Sequence, residues 1–101
     1  MVVMKISSFE WDEGNLGKLR KHKISISAIE DFFTNHDLRI LNDHKHSFIE
    51  SRFIAFGKYR DRELFIAFTF RANSGVLKIR IISARYLHAR ELRRLHEEIK
   101  N

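Results

Sequence analysis

The stretch Val76–Arg85, read V-L-K-I-R-I-I-S-A-R, constrains the fold of this chain more than any other. Apolar and basic residues alternate along it. A period of two marks a β-strand with one buried face, because successive side chains point to opposite sides. Leu77, Ile79 and Ile81 share one face, and Lys78 and Arg80 share the other. Such a strand needs a sheet with a core behind it. Its basic front suits a polyanion.

The flanking sequence supplies that sheet. Asn73-Ser74-Gly75 is a turn signal. Before it, Glu63–Arg71 alternates again, with Leu64, Ile66, Phe68 and Phe70 on one face and Phe65, Ala67, Thr69 and Arg71 on the other. Phe48–Gly57 reads as the preceding strand, joined through a turn at Lys58–Arg62, and Leu38–Asn42 as the one before that. Phe9-Glu10-Trp11 is a short aromatic strand near the start.

Helical signals fill the gaps. Asp12 is placed to cap a helix running to about His22, with Glu13 in its first turn and Leu16 and Leu19 on its buried side. Asn15, Lys18, Lys21 and His22 follow at spacings that put them on one polar face. Ser27-Ala-Ile-Glu30 has the form of a capping box, opening a second helix with Ile29, Phe32 and Phe33 inward. Ser83 is placed to cap a closing helix from about Arg85 to Ile99. Its inward stripe would be His88, Leu92, Leu95 and Ile99, with Arg90, Arg93 and Arg94 outside. The expectation is an α+β fold in one domain, residues 1–101. A short N-terminal strand and two helices precede an antiparallel meander and a C-terminal helix.

Composition narrows the class. The chain has 101 residues and no Cys, so disulfides and thiolate metal sites are ruled out. No apolar run is long enough to span a bilayer, and the N-terminus lacks the pattern of a cleaved signal. The expected setting is the cytoplasm, with no membrane contact. Net charge is +6, and Arg71–Asn101 carries eight Lys/Arg against three Glu. That asymmetry points to a polyanionic or acidic partner, although solubility alone accounts for it equally well.

An ordered set of motifs resembles the BrnT-type toxins, which belong to the RelE/ParE superfamily. The set comprises F-E-W-D at Phe9–Asp12, the Lys21-His22 pair followed by I-S-I-S, and E-x-R at Glu50–Arg52. Gly57, T-x-R at Thr69–Arg71, R-I-I-S-A-R at Arg80–Arg85 and Glu91 complete it. The resemblance implies a RelE-like fold and a small ribonuclease that arrests translation. It also implies a BrnA-like ribbon-helix-helix antitoxin and a complex of the two that binds its own promoter DNA. With no Cys and no second carboxylate cluster, no metal cofactor is expected. The chain departs from the family pattern in three places. There is no proline after the second helix, Tyr86-Leu87-His88 follows Ser-Ala-Arg, and His96 stands where a tyrosine is common.

Metal-free RNA cleavage needs a base for the 2′-hydroxyl, an acid for the departing 5′-oxygen and cations for the charge at phosphorus. Arg80 and Arg85 are the candidates for that charge, because a guanidinium forks onto two oxygens. His22 and Glu50 are the candidates for proton transfer. Histidine titrates near neutral pH, whereas a glutamate among arginines is a weakened base. Lys21, Arg52, Thr69, Arg71 and His96 are candidate substrate contacts. Simpler readings stand beside these. Lys21 and His22 would complement the helix dipole, Arg80 would pair with Glu50 or Glu63 across the sheet, and Glu91 would pair with and orient an arginine. His36, His44 and His46 lack compact ligand spacing. The competing function is a non-catalytic nucleic-acid or protein-binding module, or a toxin with another target such as gyrase.

Overall fold

The computed structural model describes residues 6–35, 38–43, 45, 51–73 and 75–100. Along them run β1 (Ile6–Glu10), α1 (Glu13–Lys21), α2 (Ile26–Asn35) and β2 (Arg39–Asn42), then β3 (Phe53–Tyr59), β4 (Arg62–Asn73), β5 (Val76–Tyr86) and α3 (Ala89–Lys100). The strands form a single sheet in the order β1-β5-β4-β3-β2.

Strands β2 to β5 make the expected antiparallel meander. The sheet as a whole is mixed, however, because β1 pairs parallel to β5 at its outer edge. Parallel neighbours need a long crossover. Here the connection runs over residues 11–75, so reasoning from consecutive strands leaves β1 unplaced.

One face of the sheet carries the core. Leu19 of α1, Ile24 between the helices, and Ile29 and Phe32 of α2 pack on Ala55, Leu64, Ile66, Phe68, Ile79, Ile81 and Ala84. Phe33 meets Phe68 edge-on at 5.3 Å between ring centroids. Trp11 also packs against this core and donates its indole N–H to Glu30. Burial of Ile79 and Ile81 confirms the face assigned to them. The opposite face bears Thr69, Arg71, Arg80 and Phe65, and α3 lies over its far end with His96 against the Phe56 ring.

The helix ends follow local chemistry. Asp12 caps α1 and accepts from the Asn15 N–H, while the Asn15 side chain accepts from the Asp12 N–H. At the other end, Ile24 N–H returns to Leu19 C=O and Lys23 N–H to Arg20 C=O. This Schellman closure places Lys23 at φ +56°, a left-handed position that glycine usually fills. The cap of α2 is Ser25, whose Oγ accepts from Ala28 N–H at 3.1 Å. The cap is therefore two residues earlier than the expected Ser27, and with Ala28 at the third helical position the box at Ser27–Glu30 does not form. Ser27 lies inside the first turn, and Glu30 is taken by Trp11.

The last helix begins later than its periodicity suggests. Strand β5 continues through Ser83, Arg85 and Tyr86, so Ser83 is a strand residue and not a cap. Glu91 accepts the His88 N–H at the start of α3 instead. His88 is exposed, while Leu92 and Leu95 are half-buried. Among the described residues, no helix is long and apolar enough to cross a membrane.

Candidate functional site

The site-bearing face of β5 depends on a register shift. Phe68 pairs with Ile81, but Ala67 pairs with Ser83, so Ile82 is an extra residue in β5. Arg80 and Arg85 are five positions apart and would fall on opposite faces of a regular strand. The inserted residue reverses the alternation, so that Arg85, opposite Phe65, shares the face of Arg80, opposite Thr69. Bulges re-aim side chains in this way.

Arg80 sits in a closed corner where β1 ends and α1 begins. Its guanidinium pairs with Asp12 at 2.7 Å and with Glu10 at 3.1 Å. Glu10 also receives Arg71 at 3.3 Å. The Arg80 side chain is only 20% exposed. Hydrogen bonding from Arg80 holds the Asp12 carboxyl below the usual carboxylate range, aided by the Asn15 N–H. The same bond with Asp12 raises Arg80, which is ionised at any working pH. Among the described residues the partners of Arg80 are thus Glu10 and Asp12, and not Glu63 across the sheet; the alternative partner Glu50 lies outside the described residues. The reason is topological: parallel pairing sets Glu10 directly beside Arg80.

Arg85 sits in the open. It pairs with Glu91 of α3 at 2.7 Å, lies 5.0 Å from the Phe65 ring centroid, and is 40% exposed. The bond from Arg85, with the His88 N–H, holds the Glu91 carboxyl below its ordinary value. The expected orienting pair for Glu91 is therefore present. Arg85 lines an open groove of about 660 Å³ between the sheet and α3. Lys18, Lys45, Arg52 and Ser83 also line it, beside an apolar wall that includes Ile54, Phe65, Ile82 and Leu95. Asp43 and Glu98 add two carboxylates at its margin. Cations beside an apolar wall can hold a phosphodiester with the attached nucleoside against the wall.

The other candidates divide. Arg52 joins Arg85 in the groove. Thr69 is buried, and its hydroxyl donates to the Ser51 carbonyl at 2.6 Å, fixing the chain that leads to Arg52 instead of facing substrate. Arg71 belongs to the Glu10 corner. Lys21 and His22 are exposed at the C-terminal end of α1, three and four residues beyond the groove residue Lys18, and His22 is the helix C-cap. His96 lines a separate hollow with Leu38, Arg39, Phe56, Gly57 and Glu63. Glu50 lies outside the described residues, as do His36, His44 and His46.

Sequence reasoning passed over Lys18, Lys45 and Ser83 as groove residues. Lys18 already shared a polar face with Lys21 and His22, whereas Ser83 was hidden by its reading as a cap. It also set Asn15 on that polar face, but Asn15 is 2% exposed. Its carboxamide finds three backbone partners in the interior, which removes the need for water.

A family model described as "Ribonuclease toxin, BrnT, of type II toxin-antitoxin system" matches residues 11–91. A search of the curated proteins found none that matches. The family match covers most of the chain, and the chain belongs to this family of ribonuclease toxins.

Proposed function

We propose that this ribonuclease toxin of a type II toxin–antitoxin pair cleaves RNA in the groove beside α3 without a metal ion. The 2′-hydroxyl of one nucleotide attacks the adjacent phosphorus and the 5′-oxygen of the next leaves. The products are a 2′,3′-cyclic phosphate and a 5′-hydroxyl. Arg85 and Arg52 hold the phosphate and the charge that builds on it, and Phe65 and Ile54 receive the nucleoside. His22 or Glu50 supplies proton transfer. Arg80 and Arg71, balanced by Glu10 and Asp12, hold β1 and the start of α1 to the sheet that carries the groove. In this mechanism guanidinium groups supply the charge stabilisation that the transition state needs.

One observation carries this reading: Arg85, oriented by Glu91, stands half-exposed on the wall of a groove lined by further cations. The antiparallel meander with helices on one face and α3 on the other supports a RelE-like relationship. A type II system supplies a protein antitoxin, which we take to be a BrnA-like ribbon-helix-helix protein whose complex with the toxin binds the promoter. Cleavage of messenger RNA would then arrest translation and growth.

The test is incubation of the purified chain with RNA in excess chelator, followed by analysis of the new ends. Cleavage with cyclic phosphate ends is expected. Loss of cleavage on adding chelator would overturn the metal-free mechanism. Intact RNA, from protein that still binds its antitoxin, would favour a non-catalytic binding module.

A further inference from the structure

The two arginines of β5 share a face only because of the extra residue at Ile82, and something must hold that irregularity in place. Pairing between β1 and β5 stops at Glu10 opposite Arg80. The next carbonyl on β5, that of Ile81, has lost its strand neighbour at the point where the register shifts. The Asn15 carboxamide replaces it. Its Nδ2 donates to Ile81 C=O at 2.9 Å and to Glu10 C=O at 2.9 Å, and its Oδ1 accepts from Asp12 N–H at 2.8 Å. Two acceptors on one side and one donor on the other leave the amide a single orientation. The group is 2% exposed, so water cannot substitute for any of these bonds.

We infer that Asn15 is a positioning residue for Arg85. It fixes the last residues of β1, the first turn of α1 and the β5 bulge as one unit, and so sets the phase of the strand that delivers Arg85 to the groove. The inference rests on the proposed reading that Arg85 holds the phosphate. It adds that the reading depends on a buried amide that touches neither RNA nor Arg85. An amide is required: a carboxylate keeps the size and accepts from Asp12 N–H, but it cannot donate to either carbonyl.

The test is a double-mutant cycle with Asn15→Asp and Arg85→Ala, measured by single-turnover cleavage of RNA at a temperature where melting curves show each variant folded. If Asn15→Asp does not fold, Asn15→Ser, which keeps one donor, replaces it. A shift of about 1 Å in a phosphate-holding group lowers the rate by about 100-fold, so Asn15→Asp is expected to lose cleavage on that scale. Loss in the double variant should match that of Arg85→Ala alone, because Arg85 is the group through which Asn15 acts. Losses that multiply would overturn the inference, showing that Asn15 acts on the fold alone. Arg85→Ala cleaving at the wild-type rate would refute the reading of the groove itself, and the inference with it.

Discussion

Arg80 and Arg85 stand on the same face of the same strand, yet their surroundings are opposite. Arg80 is enclosed by two carboxylates, one from the end of β1 and one from the cap of α1. Its charge is spent on holding the N-terminal elements to the sheet. Arg85 has one carboxylate partner among the described residues, Glu91 of α3, and it faces solvent beside an aromatic ring. Guanidinium N–H groups in a closed network are poor substrate contacts, because recruiting them breaks bonds already made. On the proposed reading, two arginines of one motif divide the labour, one holding the scaffold and the other serving the groove.

The comparison is broken or sharpened by substitutions on each side. The largest effect is expected from Arg85→Ala, which should lower cleavage by about 100- to 1000-fold, the range for losing one charge-stabilising donor. Its melting temperature should stay near that of wild type, since a half-exposed ion pair contributes little. Loss of folding would assign Arg85 to the scaffold instead. Ile79, which precedes Arg80 on the core face and is 2% exposed, should behave in the reverse way. Ile79→Ala should destabilise by about 2–5 kcal/mol, read from chemical denaturation.

Arg80→Ala should fall between them, lowering the melting temperature by about 4–8 °C in a domain of this size. The pH dependence identifies the cause. Asp12 has a folded pKa below its unfolded value, so its pairing stabilises the fold fully above the ordinary carboxylate range and ceases to do so as pH falls through the folded value. The gap in melting temperature between wild type and Arg80→Ala should therefore be full at neutral pH and narrow below about pH 4. A gap independent of pH would remove Asp12 from the account. The smallest effect tests a position outside both regions. Lys23→Gly relieves the left-handed conformation at the end of α1 and should stabilise by about 0.5–1 kcal/mol while cleavage is retained.

Much of this arrangement was legible in the sequence. Period-two alternation located β2 to β5, and Asp12 announced the start of α1. The pairing of Glu91 with an arginine was also legible. What escaped was set by contacts remote in sequence. Nothing local to Phe9–Trp11 says that β1 lies parallel to the last strand. Asn15 reads as a surface residue until the backbone groups around it are known. The bulge did leave a trace, since adjacent Ile81 and Ile82 break an otherwise strict alternation. That break was absorbed into the expectation of a helix beginning at Arg85, and Ser83 was misassigned with it. The parity of Arg80 and Arg85 follows from the bulge, so it was not readable either.

The central claim is that RNA is held by the open arginine and not the enclosed one. Side-chain Nε–H resonances report this directly when the protein is titrated with an RNA made uncleavable by 2′-O-methylation. The account predicts that the Arg85 resonance shifts on binding while that of Arg80 stays in place. A shift at Arg80 with Arg85 unmoved would contradict it.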